Sequence, residues 1–273
     1  MVAGNVDPAV LDPVRAAVAA TLAHPEELRR TPITHHDPPD PRASDAVAFA
    51  EQFVVDVAGV TDEQRAALGA VMGADTFAFV QALYVVDVFQ RGRIALERIF
   101  TTPFGPAPSP ITGDLWPELE EFMRTVALLH ALDPVTTELV RLRGARAHNC
   151  RICQSRLSLQ AVEAAGDAEL FAGEPDDAAL DERQRAALAL ADAVIWQPSA
   201  IDDALVTRVR SALSDAEVVE IVLDLVRNAA NKIAVSLGGD EAVVTDGLEF
   251  YDVDATGEVI ADVDRELVRA ATT

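Results

Sequence analysis

The two cysteines of this chain, the only ones in 273 residues, stand three apart as Cys150-Arg-Ile-Cys153. On a helix that spacing puts both sulfurs on one face, one turn apart and close enough to bond. Asn149 is placed to cap such a helix, and Leu157, Ala161, Val162 and Ala165 continue a helical apolar pattern behind it. Cys150 would then lie in the first turn, where free backbone N–H groups and the helix dipole favour a thiolate. Arg151 and Arg156 add positive charge, and His148 sits two residues upstream. A thiolate attacks peroxides and disulfides, and a neighbouring thiol can condense with the sulfenic acid that forms. A redox dithiol, half of a zinc site and an inert core pair all fit this spacing. Zinc is the poorest fit, because no second C-x-x-C or C-x-x-H follows and His24, His35, His36 and His130 lack ligand spacing.

The segments that must position the pair read as helices. Asp133-Pro134 is an N-cap acid followed by proline at the first helical position, and that helix carries Glu138 toward the dithiol. Ser214 with Glu217 forms a capping box for a helix from about Asp215 to Leu237, stopped by Gly238-Gly239. Its apolar residues Val218, Val222, Leu225, Val226 and Ile233 recur at three- and four-residue steps. Proline-rich breaks run from Thr31 to Ala43 and from Thr101 to Gly113. Strand signal is confined to the C-terminus, where Leu248 to Ile260 reads as one hairpin turning near Ala255-Thr256-Gly257.

The two halves also resemble each other. Ala46 to Ile99 parallels Ala187 to Gly238 at an offset near 140 residues, as helix, acidic turn, short helix and long apolar helix. This points to a duplicated helical unit in which the second copy alone keeps the dithiol. The chain then divides into 1–105, a repeat without cysteines; 106–245, the C-x-x-C unit; and 246–273, hairpin and tail. The expected fold class is all-α with a short C-terminal β-hairpin.

Glu138 lies twelve residues before Cys150, on the helix that runs into the dithiol. This arrangement resembles the alkylhydroperoxidase D-like, or carboxymuconolactone decarboxylase-like, family. The family motif is a Glu, then C-x-x-C, then a His four residues after the second cysteine. The resemblance covers about Leu115 to Gly238, including the S-D-A-E-V-V-E…N-x-x-N-K segment at Ser214–Lys232. It implies a helical bundle of the family type, homo-oligomeric assembly and, since fused double copies occur in the family, two tandem units. It further implies that Cys153 attacks a hydroperoxide, that Cys150 resolves the product and that Glu138 accepts protons from the pair. An external dithiol would then reduce the Cys150–Cys153 disulfide, with no cofactor and no metal. Leu157 occupies the family's histidine position, so His148 or Arg156 would have to supply the missing help. The expected function is a thiol-dependent peroxidase or disulfide oxidoreductase. The alternatives are a lactone decarboxylase or isomerase, which needs no thiols, and a non-catalytic oligomeric helical module whose cysteines only pack.

Composition narrows the partners. Forty-five acids against 22 bases give a net charge of −23, and Lys232 is the only lysine. Such a surface repels phosphate backbones and anionic membranes, which argues against nucleic acid and membrane partners. The N-terminus lacks the pattern of a signal peptide, and the longest apolar run, Phe77 to Phe89, is interrupted by Gln81 and Asp87. The expected compartment is the cytoplasm, where two cysteines are seldom a structural disulfide. His35-His36-Asp37 reads as a solvated loop; Asn228, Asn231 and Lys232 as polar packing; Trp116 and Trp196 as core or interface anchors. There is no Gly-rich phosphate loop and no G-x-S-x-G, so nucleotide chemistry and serine hydrolysis lack support.

Overall fold

Side chains that satisfy the first free N–H groups of each helix fix most of the helix starts. The structure, a computed structural model, describes residues 6–24, 40–105, 113–244 and 247–261. The His35-His36-Asp37 loop lies outside them. Asp7 caps α1 (Pro8–Thr21), which packs on α2 (Ala43–Val55). A capping box of Thr61 and Gln64 opens α3 (Asp62–Met72). After a short turn, α4 (Thr76–Tyr84) passes through a π-helical segment, Val85–Phe89, into α5 (Gln90–Phe100). Then come α6 (Trp116–Ala127) and α7 (Pro134–Ala147), the latter capped by Asp133 as its sequence predicts.

The chain beyond α7 departs from the expected helix. A four-residue α8 (Arg151–Gln154) gives way to a strand, β1 (Arg156–Ser158), before α9 (Leu159–Ala165). Capping boxes open α10 (Glu182–Trp196) and, after α11 (Asp203–Ala212), α12 (Asp215–Asn228). The single helix expected over 215–237 is two. It tightens at Ala229-Ala230 into i→i+3 hydrogen bonds and resumes as α13 (Asn231–Leu237), ending on left-handed Gly238.

The expected hairpin forms from β2 (Glu249–Val253) and β3 (Val259–Ala261), paired antiparallel. Gly257 turns it with φ +82°, and a Cβ there would sit 2.3 Å from the carbonyl oxygen of Arg124, so the turn lies flush against the end of α6. The hairpin does not stand alone. β1 pairs with β2 in parallel, Arg156 opposite Glu249, Leu157 opposite Phe250 and Ser158 opposite Tyr251. The protein is therefore mostly helical with a small three-stranded sheet, and strand structure is not confined to the C-terminus.

Both halves feed the same core. One apolar cluster joins Val14, Phe49, Phe53 and Leu83 to Val226, Ile233 and Cys150; a second joins Ile99 to Leu190, Ile221 and Val222. Close approach of α5 and α12 depends on Gly92, where a Cβ would come within 2.8 Å of Val226. The halves are also tied by charge. Asp87, on the π-helical segment and fully buried, pairs with Arg91 Nε at 2.6 Å and Lys232 Nζ at 2.5 Å. Lys232 in turn lies 4.3 Å above the Phe53 ring. The helical run Asp62–Phe100 is long and apolar enough to cross a membrane by length and composition; here Phe79, Val80 and Leu83 close on the core. The order Ala43–Val55, Val57–Gly59, Asp62–Met72, Thr76–Tyr84, with an added turn at Gly73–Asp75, is matched by Glu182–Trp196, Pro198–Ala200, Asp203–Ala212, Asp215–Asn228.

Candidate functional site

The dithiol loop is built by a sharp reversal after α7. Asn149 adopts a left-handed conformation (φ 50°), and Cys150, not Asn149, caps α8, its Sγ accepting from the Cys153 N–H at 3.3 Å. Asp240 holds the loop from outside, accepting from the Arg151 N–H and from its guanidinium at 2.9 and 2.8 Å. Four helical residues supply little dipole, so the electrostatic help expected from a longer helix falls instead to side chains. Cys150 and Cys153 are joined by a disulfide, with Cα atoms 5.3 Å apart. Cys150 is fully buried against the core, whereas Cys153 is half-buried and reaches open space.

That space is a cavity of about 140 Å³ floored by Arg141, Arg156, Arg227, Asn228 and Tyr251. Cys153 also borders a wider one of about 580 Å³, with Trp116, Met123 and Asn231. Three guanidinium groups line the cavity beside the sulfur; Arg141 is paired with Glu138 and Arg156 with Glu249, so the positive charge there rests on Arg227, which forms no ion pair among the described residues.

Glu138 lies behind this wall, fully buried on α7. Both of its oxygens are occupied. Arg141 donates Nε and Nη2 at 2.7 Å each, the Ser158 N–H donates at 3.0 Å and the Tyr251 hydroxyl at 2.8 Å. Arg141 uses its remaining donors on the carbonyls of Cys153 (2.8 Å) and Arg156 (2.7 Å), and stacks 5.2 Å from the Tyr251 ring. Burial pushes the Tyr251 hydroxyl above its ordinary range, so it stays a donor. The carboxylate thus reaches the dithiol through Arg141 and the Cys153 backbone rather than through a bond to sulfur.

His148 is placed differently from the other candidates. It caps α7, is buried, and shares a 2.8 Å hydrogen bond between Nδ1 and Asn231 Oδ1. Burial, with the charge of Lys232 adding to it, pushes its imidazole down to about 3. It is neutral at physiological pH and lends no positive charge to a thiolate. Leu157, on β1, is packed with Leu139, Leu142 and Val162. Arg156 is paired with Glu249 across the sheet. Trp116 meets Phe77 at 5.9 Å and lines the wider cavity, whereas Trp196 is half exposed and no core anchor.

Sequence reasoning missed Tyr251, Arg227 and Asp224. Arg141 was legible as the i+3 partner of Glu138. Asp224 is buried on α12, its Oδ2 has no hydrogen-bond partner among the described residues, and burial raises its carboxyl to about 7. Among the described residues no group of three or more His, Cys, Asp or Glu could hold a metal ion.

Two relatives span both halves of the chain. They are the Mycobacterium tuberculosis proteins described as "Uncharacterized protein MT2376" (strain CDC 1551 / Oshkosh) and "Uncharacterized protein Rv2313c" (strain ATCC 25618 / H37Rv). Each is 41% identical over 239 residues, covering 84% of this chain and 84% of the relative. The chain belongs to their family. No family model and no solved structure matches it. In this member of the family, the dithiol loop, the Glu138–Arg141 pair and the hairpin that carries Tyr251 together form the candidate site.

Proposed function

We propose that the protein is a thiol-dependent peroxidase or disulfide oxidoreductase, built as an alkylhydroperoxidase D-like bundle of two tandem units. The observation that carries this is the division of labour between the cysteines. Cys153 borders open cavities among arginines, and Cys150, fully buried, stands within bonding reach of it.

In the reduced enzyme, Arg227, the cavity arginine without an ion pair among the described residues, favours the Cys153 thiolate. Its Sγ attacks the outer oxygen of a hydroperoxide, the O–O bond breaks, and the alkoxide leaves and takes a proton to become the alcohol. Leu157 supplies no proton there, so solvent in the open cavity does. The Cys150 thiolate then attacks Sγ of the Cys153 sulfenic acid, the S–S bond forms, and hydroxide leaves as water. An external dithiol reduces that disulfide by two exchange steps and is itself oxidised. Hydroperoxide and dithiol become alcohol, water and disulfide. Glu138, through Arg141, fixes the Cys153 carbonyl and so the height of the sulfur in the cavity, and protons from the pair pass to solvent in that cavity. His148 acts as a neutral partner that holds Asn231 beside the cavity. With an external dithiol as reductant, the compartment that suits this reading is the cytoplasm.

Purified protein should consume an organic hydroperoxide with dithiothreitol, and Cys153→Ser should abolish this. In the reduced native state iodoacetamide should label Cys153 well before Cys150. Equal turnover by wild type and Cys153→Ser would overturn the reading.

A further inference from the structure

Arg227 and Asn228, the end of α12, border three cavities at once. Two are those of Cys153; the third, of about 300 Å³, lies on the far side of Arg141 and Tyr251. The other arginines around these spaces are neutralised: Arg141 by Glu138, Arg156 by Glu249 and Arg124 by Glu258. Arg227 forms no ion pair within 4 Å among the described residues. Its Nε donates to the Met123 carbonyl at 2.9 Å, its Nη1 reaches Asn228 Oδ1 only at 3.5 Å, and Nη2 has no partner among the described residues. One turn earlier on the same helix, Asp224 lines the third cavity, and its buried Oδ2 has no hydrogen-bond partner among the described residues. The same cavity is lined by the apolar side chains of Val126, Leu128, Leu129 and Leu132.

We propose that Asp224, Arg227 and Asn228 form a binding site for a carboxylate with an apolar tail, the carboxylate on Arg227 and Asn228 and the tail along Leu128 and Leu129. An unpaired guanidinium that is partly enclosed is a strong carboxylate site, because its bonds are charge-assisted and can be bidentate. Asp224 adds a condition. While protonated it offers a hydrogen-bond donor to the bound carboxylate; once ionised it repels that carboxylate and attracts Arg227 to itself. The other ionisable groups that face it are Glu220 and Arg227 on its own helix, and Arg141, Tyr251, His130, Asp252 and Asp254 across the cavity. Binding therefore weakens as pH rises through about 7. That the ligand is the substrate, a hydroperoxide of an aliphatic acid, rests on the peroxidase reading; the site itself does not.

Calorimetric titration of the oxidised full-length protein with octanoate and with octanol tests it. Octanoate should bind at least tenfold more tightly than octanol at pH 6 and lose most of that preference at pH 8. Arg227→Gln should bring octanoate down to the level of octanol, and Asp224→Asn should keep octanoate bound at both pH values. Equal affinity for octanoate and octanol, or an Arg227→Gln protein that binds octanoate as the wild type does, overturns the proposal. The comparison of the two ligands on wild type decides it even if Arg227→Gln fails to fold. Octanoate preference without hydroperoxide turnover would sink the peroxidase and leave this site standing. Turnover without the preference would do the reverse.

Discussion

Glu138→Gln isolates what the buried carboxylate does, because it keeps the shape and removes the charge. In the wild type the Glu138–Arg141 pair is almost wholly out of water, with side chains 1% and 11% exposed. Arg141 stays charged in the variant, since a guanidinium does not deprotonate. One of the two oxygens that receive it becomes an NH₂ group, so a donor faces donors. Breaking a buried ion pair from one side costs about 3–5 kcal/mol. Summing the four hydrogen bonds at about 1.5–3 kcal/mol each would overstate the loss, because Gln still accepts some of them. With a urea m-value of about 3 kcal/mol/M, the midpoint should fall by about 1–1.7 M at unchanged m. Tyr251→Phe, which removes one hydrogen bond to the same carboxylate and no charge, should cost about 1.5–3 kcal/mol. Urea melts followed by far-UV circular dichroism on both variants make the comparison. A Glu138→Gln loss below about 1 kcal/mol, or one no larger than that of Tyr251→Phe, would refute the claim that the charge pair holds the dithiol wall.

Two buried groups should leave opposite marks on the pH dependence of stability. Asp224 titrates near 7 in the fold against an ordinary value of 3.8, so the folded state holds the extra proton and rising pH destabilises it between those limits. The advantage of Asp224→Asn over wild type should therefore grow from about pH 4 to 7, by up to ~1.4 kcal/mol per unit, and level off above. His148 titrates near 3 against 6.5, so the unfolded state takes the proton first and falling pH destabilises the fold below 6.5. His148→Gln should gain on wild type as pH drops from 6.5 toward 3, and a constant gap in urea melts across that range would contradict a buried neutral imidazole.

The parts of the site that were readable in the sequence are those whose physics is local. The cysteine spacing, the Asp133 cap, the Ser214–Glu217 box and the hairpin around Gly257 each depend on residues a few positions apart. The strand at Arg156–Ser158 was not readable. Three residues carry no alternation, and its ladder partner lies beyond residue 248. Asn149 looked like the better cap because asparagine usually is one; its left-handed backbone turned Cys150 into that position instead. Asp224 and Arg227 carry no signal of their own in the sequence. What distinguishes them is the walls that α6, α7 and the sheet raise around α12, which no periodicity within α12 can report. His148 looked able to stand in for the family histidine; burial, with the charge of Lys232 from a different helix, pushes its imidazole far below the ordinary range and keeps it neutral.

The pairing of β1 with β2 also sets an order in time. Arg156 waits for Glu249, 93 residues later, and Glu138 waits 113 residues for Tyr251. At about 5–20 residues per second, synthesis separates Glu138 from Tyr251 by roughly 6–23 s. During that interval the nascent chain carries two thiols whose loop has neither its third wall nor the strand that closes it. The cysteines are thus exposed to stray disulfide exchange until the strand that carries Glu249 and Tyr251 has emerged and ends their exposure.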